Sequence, residues 1–498
     1  MDGLVVSAPS LDAVPSLIPN RIGGRSQPAR SGDRLEKLDP HSGAPIWSYP
    51  RSSSEDIEEA VGAAKQAQLA WAGTPPVKRG EVLYAICNHL EQSADLVASI
   101  VRAETGKSFS EAKAEVGAAV GCGRFFAGEG QRLYGRTTTS GIPGRYAMTV
   151  RQPVGVAGLI IAANTPIANV AWKVFPALIC GNAAVLKTPE DTPATAWIFG
   201  KIAEEAGLPS GVLSIVHGLG REAGAPLVAH PEVGVVSFTG STAVGKEIAR
   251  VGGGRLAKVS LELGGKNPFV VCEDADLDSA VRWAILSAFS NAGQRCASGS
   301  RIIVLESIYD RFVDALVHAT ESLKLGPGDD DDLGPVINQR AVDRILGAMD
   351  RAVKAGAKVL TGGYRIEDED HRAGFYVAPS LITDVPPEES VIQEEIFGPL
   401  SVVTSAPDYG AALKEANSSK YGLTACIHTR DWDRALHFVM NVRAGVGVVN
   451  LGTHGSEPHM PFGGVGISGN GSREPGTEAL DVYTELKDLY LSLSPSAP

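Results

Sequence analysis

Between Val154 and Val270 five short apolar runs alternate with helical segments, and this alternation constrains the fold more than any other feature of the chain. It predicts strands near 154–162, 183–187, 212–216, 233–238 and 256–261, and helices near 166–179, 193–206, 221–229 and 242–251. Such a pattern argues for a mostly parallel, doubly wound sheet, and sheets of this kind bind ligands at the carboxyl ends of their strands. A second alternating set from about 268 to 460 predicts another α/β domain, with the site between the two. The expected fold class is therefore α/β, with two doubly wound α/β domains and a small β element. No internal repeat interrupts this reading.

The flanking regions read differently. Residues 1–35, rich in Pro, Ser and Arg without periodicity, predict an extended arm or disordered lead. From Ser54 a helical pattern runs through Ile57, Ala60, Val61, Ala64 and Trp71 and continues to Ile100. Arg145–Arg151 and Val482–Leu491 carry enough β-formers to be strands. Composition excludes several classes of function. A net charge of −12 with no basic block argues against a nucleic-acid surface. The six cysteines lie far apart without a Cys-x-x-Cys pair, so neither a disulfide framework nor a metal site is expected, which fits a reducing cytoplasm. The amino terminus lacks signal-peptide character, and no apolar run approaches the ~18 residues of a membrane span.

The chemistry-bearing stretch is Asn291–Ala292–Gly293–Gln294–Arg295–Cys296–Ala297–Ser298. An apolar helical pattern (Leu277, Ala280, Val281, Ala284, Ile285, Ala288, Phe289) breaks at Asn-Ala-Gly, and a strand pattern begins at Arg301. Cys296 thus falls at a junction between elements, beside a cation that favours its thiolate. A cysteine can equally be a small buried hydrophobe. Upstream, Leu261–Glu262–Leu263–Gly264–Gly265–Lys266 places an acid before a backbone too glycine-rich to continue a strand. Val233–Phe238 runs into Thr239–Gly240–Ser241 and a helix that Ser241 would cap. Gly240 and Gly245 frame that helix N-terminus, which suits an anionic group; the spacing is not Gly-x-Gly-x-x-Gly, and packing would explain it as well.

Five segments in this order, the Phe-Thr-Gly-Ser turn, Glu-Leu-Gly-Gly-Lys, Gly-Gln-x-Cys, Glu-Ile-Phe-Gly-Pro (395–399) and Pro-Phe-Gly-Gly (461–464), resemble the aldehyde dehydrogenase superfamily from about Leu38 to Leu491. Within it the chain is most similar to semialdehyde dehydrogenases of the α-ketoglutaric semialdehyde type. The resemblance implies NAD-dependent oxidation of an aldehyde to an acid. Cys296 would be the nucleophile, Asn164 with the Cys296 amide the oxyanion donor, and Glu262 the base that activates water for thioester hydrolysis. Asn164 read alone is a turn residue capping the helix at Pro166. Glu474 matches a family glutamate given a proton-relay role, in a region where Gly466 replaces the usual lysine and Ser472 resembles an insertion.

For the cofactor the resemblance implies Gly240, Ser241 and Gly245 at the pyrophosphate, Lys187 and Glu190 at the adenosine ribose, and Glu395 and Phe397 at the nicotinamide end. Lys187 alone would read as an exposed strand-end lysine. A carboxylate at Glu190 would repel a 2′-phosphate, so NAD rather than NADP is expected. Arg295, which could instead serve only the thiol, is expected to bind a carboxylate at the far end of a semialdehyde, with Ser298 and His454 as polar contacts. The implied organisation is a cofactor domain at 36–139 and 153–264, a catalytic domain at 265–465, and an oligomerisation element at 140–152 and 480–498 that makes a homodimer or homotetramer. Release of the acyl group to coenzyme A, and a non-catalytic binding protein of the same fold, are the alternatives. The first does not require the carboxylate at Glu262, and the second does not require Cys296, Glu262 and Asn164 to be intact.

Overall fold

The computed structural model describes residues 11–492. The five predicted strands appear as Val156–Ile160, Ala183–Lys187, Leu213–Val216, Val233–Thr239 and Lys258–Glu262, all parallel to one another in one sheet. In space Val156–Ile160 lies at the centre. The next two strands add on one side and the last two on the other. The order therefore reverses between Val156–Ile160 and Val233–Thr239, and a crevice opens beyond their carboxyl ends, at Ile161–Asn164 and Gly240–Ser241. The sheet is sealed because every residue of the three strands spanning 156–216 is buried, with helices Pro166–Ile179 and Pro193–Glu205 on one face.

Part of the expected arm belongs to this sheet. Asn20–Ile22 and Arg25–Gln27 form a hairpin that extends it antiparallel from Leu213–Val216, so the prediction for 1–35 fails across 20–27. Aperiodic composition concealed it because a three-residue strand has no period to display, and Ile22 is its apolar anchor in the core. The first ten residues lie outside the described range. The helix expected from Ser54 spans Ser54–Gly73, with Ser53 as the cap in a reciprocal box with Asp56.

The second sheet has the order 358–361, 380–383, 400–406, 301–305, 268–271, 424–428 and 446–449, parallel except at its first strand. Arg145–Pro153 pairs along its length with Thr484–Ser492, and Thr137–Thr139 completes a three-stranded sheet. The carboxyl-terminal strand starts later than expected because Val482 and Tyr483 close a short helix and are buried against the first core. The tail beyond Ser492 is outside the described residues. Among those described, no helix is long and apolar enough to cross a membrane.

Candidate active site

Cys296 lies between the helix Leu277–Phe289 and the strand Arg301–Leu305, on a loop that begins with three consecutive left-handed residues, Asn291, Ala292 and Gly293 (φ 54°, 51° and 67°). For the two that carry a Cβ this conformation is costly, about 1 kcal/mol or more each. Polar contacts hold it in place. The Asn291 amide donates to Glu111 Oε1 (3.2 Å), its side chain donates to the Asn164 carbonyl (3.1 Å), and Gln294 Nε2 donates back to the Asn291 carbonyl (3.2 Å). Gln294 Oε1 accepts from the Ile337 amide, and Asn267 Nδ2 donates to the carbonyls of both Cys296 and Ser298 (2.8 Å each). The Gly-Gln-x-Cys segment is thus a loop whose glutamine ties the turn to the backbone at Ile337.

Cys296, Glu262 and Asn164 line one cavity of about 340 Å³ together with Glu395 and Phe397. The glycines of 264–265 permit this convergence. A Cβ at Gly264 would collide with the Glu395 carboxylate and one at Gly265 with the Cys296 carbonyl. Gly463 likewise leaves room for Glu262, since its Cβ would meet Oε1 at 2.9 Å. Glu262 is buried, and neither of its carboxylate oxygens has a hydrogen-bond partner. Burial drives its carboxyl well above the usual range, the charge of Glu474 adds to this, and Lys173 and Arg473 oppose it. The Cys296 thiol is pushed up to about 12 by burial, then by Glu395 and Glu262, with Arg295 pulling it down. The cation beside the thiol thus acts in the expected direction but is outweighed.

Asn164 does not cap the helix Pro166–Ile179; Thr165 occupies that position. Its Nδ2 donates to the Gln294 carbonyl (2.9 Å), two residues before Cys296, which leaves the second N–H of the amide for another acceptor. Glu395 accepts from the Gly265 amide (3.1 Å), and burial raises its carboxyl to about 7. Phe397 is left-handed (φ 56°), and Arg344 fixes this turn by donating to the carbonyls of Ile396 and Phe397.

Ala162, Thr239, Gly240 and Ser241 also line a second cavity of about 850 Å³, which continues the first along the carboxyl ends of the sheet. Ser241 caps Thr242–Gly254 by accepting from Val244, as expected. Lys187 lines this cavity and is buried, so the exposed strand-end reading fails; burial lowers its amine to about 8 against the pull of Glu190 and Asp191. Glu190 accepts from the Gly220 amide (3.0 Å) and faces Arg340. Gly245 does not line the cavity. It lets the helix sit on Leu263, where a Cβ would clash, so its role is packing.

On the other side of Cys296 an outer cavity of about 570 Å³ shares Asn164, Thr165, Ala168, Trp172 and Phe462 with the inner one, and Arg295 and His454 line it. Burial lowers the His454 imidazole to about 4, with Arg295 adding to the effect, and its Nδ1 is buried without a partner. Ser298 departs from expectation. It is buried, absent from the outer cavity, and donates to the Gly293 carbonyl (3.0 Å), because the loop needs that bond to turn back toward the 301 strand.

Lys173, Glu111, Lys107 and Glu115 went unpredicted, and so did the partner of Glu474. Lys173 and Glu474 form a fully buried ion pair (2.7 Å), with Ser237 and Ser260 also donating to Glu474. A lysine within the apolar helix 166–179 was the available signal, since a charge on such a face needs a partner. Glu111, Lys107 and Glu115 also reach the outer cavity, and no local pattern marks them.

A half-buried thiol and a desolvated carboxylate, on a cavity at the ends of the strands of an open α/β sheet, are the setting of an α/β oxidoreductase. The chain belongs to the aldehyde dehydrogenase family, which it matches over residues 27–489. It is 37% identical over 475 residues to the alpha-ketoglutaric semialdehyde dehydrogenase of Bacillus subtilis, covering 95% of this chain and 97% of that one. Its fold is similar to a putative aldehyde dehydrogenase from Burkholderia cenocepacia (TM-score 0.94, 35% identity, 96% and 98% of the two chains). It is also similar to a point mutant of betaine aldehyde dehydrogenase from Staphylococcus aureus in complex with NAD+ (TM-score 0.95, 31% identity, 98% and 99% of the two chains).

Proposed function

We propose that this protein oxidises a carboxylated semialdehyde to the corresponding diacid, with NAD as hydride acceptor and water as the second substrate. The observation that carries the reading is the unpartnered, buried carboxylate of Glu262 in the same cavity as Cys296. The Cys296 thiol gives up its proton to solvent, and the thiolate adds to the aldehyde carbon. The Asn164 amide and the Cys296 N–H donate to the resulting oxyanion. A bound nicotinamide supplies the acceptor for the hydride that leaves this carbon. As the carbonyl reforms, a thioester on Cys296 remains. Glu262 then removes a proton from water, hydroxide attacks the acyl carbon, and the Cys296 thiolate departs, leaving the acid. A desolvated base of this kind favours hydrolysis over transfer to coenzyme A, which does not require it.

The second cavity fits a dinucleotide. The helix start at Ser241 suits a pyrophosphate, Lys187 and Glu190 stand at one end for ribose hydroxyls, and Val228, Ile248 and Val251 offer an apolar slot. Glu395 and Phe397 would hold the nicotinamide end beside Cys296. Glu190 disfavours a 2′-phosphate, which supports NAD over NADP. Arg295 in the outer cavity supports a substrate carboxylate, and similarity to a semialdehyde dehydrogenase points the same way. Exposed Tyr146, Leu486, Tyr490 and Leu491 on the 145–153 and 484–492 strands support a homodimer or homotetramer formed through that sheet, and six free cysteines suit a reducing cytoplasm.

The test is NADH formation with a semialdehyde acid and with the neutral aldehyde of equal length. A higher kcat/KM for the acid is expected. Equal values would remove the carboxylate from the reading, and no NADH with any aldehyde would remove the reaction.

A further inference from the structure

Every cation that lines the outer cavity among the described residues has a carboxylate beside it. Lys107 Nζ contacts Glu115 Oε2 at 2.6 Å, and that pair is almost wholly buried. Arg295 Nη2 faces Glu111 Oε1 at 3.4 Å, its Nε donates to Ser290 Oγ (3.1 Å), and both partners keep about a quarter of their side chains exposed. The remaining charge on the wall is Glu457, and His454 next to Arg295 is held neutral. A substrate carboxylate entering this cavity therefore meets no uncompensated cation. It must take Arg295 from Glu111.

We propose that Glu111 is a specificity-determining residue that acts as an exchangeable counter-ion, holding Arg295 until a substrate carboxylate replaces it. This rests on the reading that the outer cavity receives a carboxylated aldehyde. Of the two ion pairs, only the Arg295 pair is built for exchange. It is longer and partly solvated, and ion pairs of that kind are weak. The Lys107 pair is short and buried, and Lys107 also donates to the Asn164 carbonyl (2.8 Å), so it is tied to the backbone beside the nucleophile. Glu111 is fixed from the other side. It stands in the first turn of the helix Phe109–Glu129, where its amide donates to Ser108 Oγ (3.2 Å), and its Oε1 accepts from the Asn291 amide at the start of the Cys296 loop. When Arg295 turns to the substrate, Glu111 keeps the Asn291 bond and the loop keeps its shape. A neutral aldehyde leaves the bridge closed and gains nothing from Arg295, so the exchange sorts substrates by charge.

The test is the ratio of kcat/KM for a semialdehyde acid to that for the neutral aldehyde of equal length, in wild type, Glu111→Gln and Arg295→Leu. Glutamine retains an oxygen for the Asn291 amide and removes only the charge. Glu111→Gln should raise the ratio about tenfold, mainly through KM for the acid, since the substrate no longer competes for a charged hydrogen bond. Arg295→Leu should abolish any preference for the acid. In parallel, glutarate should inhibit competitively against the neutral aldehyde, with an inhibition constant that falls by a similar factor in Glu111→Gln. A wild type without preference that gains one in Glu111→Gln would refute the semialdehyde reading and uphold the counter-ion. A wild-type preference that Glu111→Gln leaves unchanged, together with unchanged glutarate inhibition, would overturn the counter-ion and leave the substrate reading intact.

Discussion

The inner and outer cavities share Cys296 and treat charge in opposite ways. In the inner one, Glu262 is buried with both oxygens unpartnered. In the outer one, the cations are matched to carboxylates. An unsatisfied buried polar group costs on the order of 1–3 kcal/mol, so a fold tolerates it where the group has work that pairing would prevent. Glu262 bonded to a cation would be a poor base. Arg295 left bare would bind any anion, and its counter-ion makes that binding selective.

Four substitutions would break or sharpen this contrast. The largest effect is expected for Cys296→Ala, which removes the atom both cavities share. Dehydrogenase turnover should fall by about 10⁴-fold or more, while NAD binding, followed by fluorescence titration, persists. Residual turnover near wild type would place the nucleophile elsewhere. Glu262→Gln should lower steady-state turnover by about 10²–10⁴-fold yet leave a single burst of NADH, because acyl transfer to the thiol precedes the water step. The same substitution should also stabilise the fold at neutral pH. A carboxyl whose folded pKa is raised binds its proton more tightly folded than unfolded, so stability is lost as pH climbs from the unfolded carboxyl value through the raised one. Glutamine does not ionise, so its advantage in thermal midpoint should grow over that window, and wild-type turnover should rise with pH across it. A flat difference in midpoint between pH 4 and pH 8 would mean that Glu262 is not desolvated.

Lys173→Met asks whether the paired charges behind the inner cavity are structural. It would leave Glu474 buried without its cation, at a cost of about 3–5 kcal/mol, read as a lower denaturation midpoint. A loss below about 1 kcal/mol would show that Ser237 and Ser260 suffice for that carboxylate. The smallest effect is expected for Ser298→Ala. It removes one buried hydrogen bond to Gly293 and should cost about 1 kcal/mol while leaving the acid-to-neutral substrate ratio unchanged. A change in that ratio would return Ser298 to the substrate wall.

What the sequence determined by itself is local and periodic. The five parallel strands, the break at Asn291 and the cap at Ser241 are set by burial pattern and backbone preference within a few residues, and these are legible without knowing the neighbours. The order of motifs along the chain carried the family. Only the tertiary structure decided what depends on residues far apart. Glu111 reaches Arg295 across 184 positions, and Lys173 reaches Glu474 across 301. Gly245 packs on Leu263 instead of lining a cavity, Ser298 turns inward to its own loop, and a three-residue strand at Asn20 joins the sheet. The physical reason is common to all of these. A side chain's charge state, exposure and partner are properties of the space around it, and that space is assembled from distant segments whose contacts no local pattern encodes.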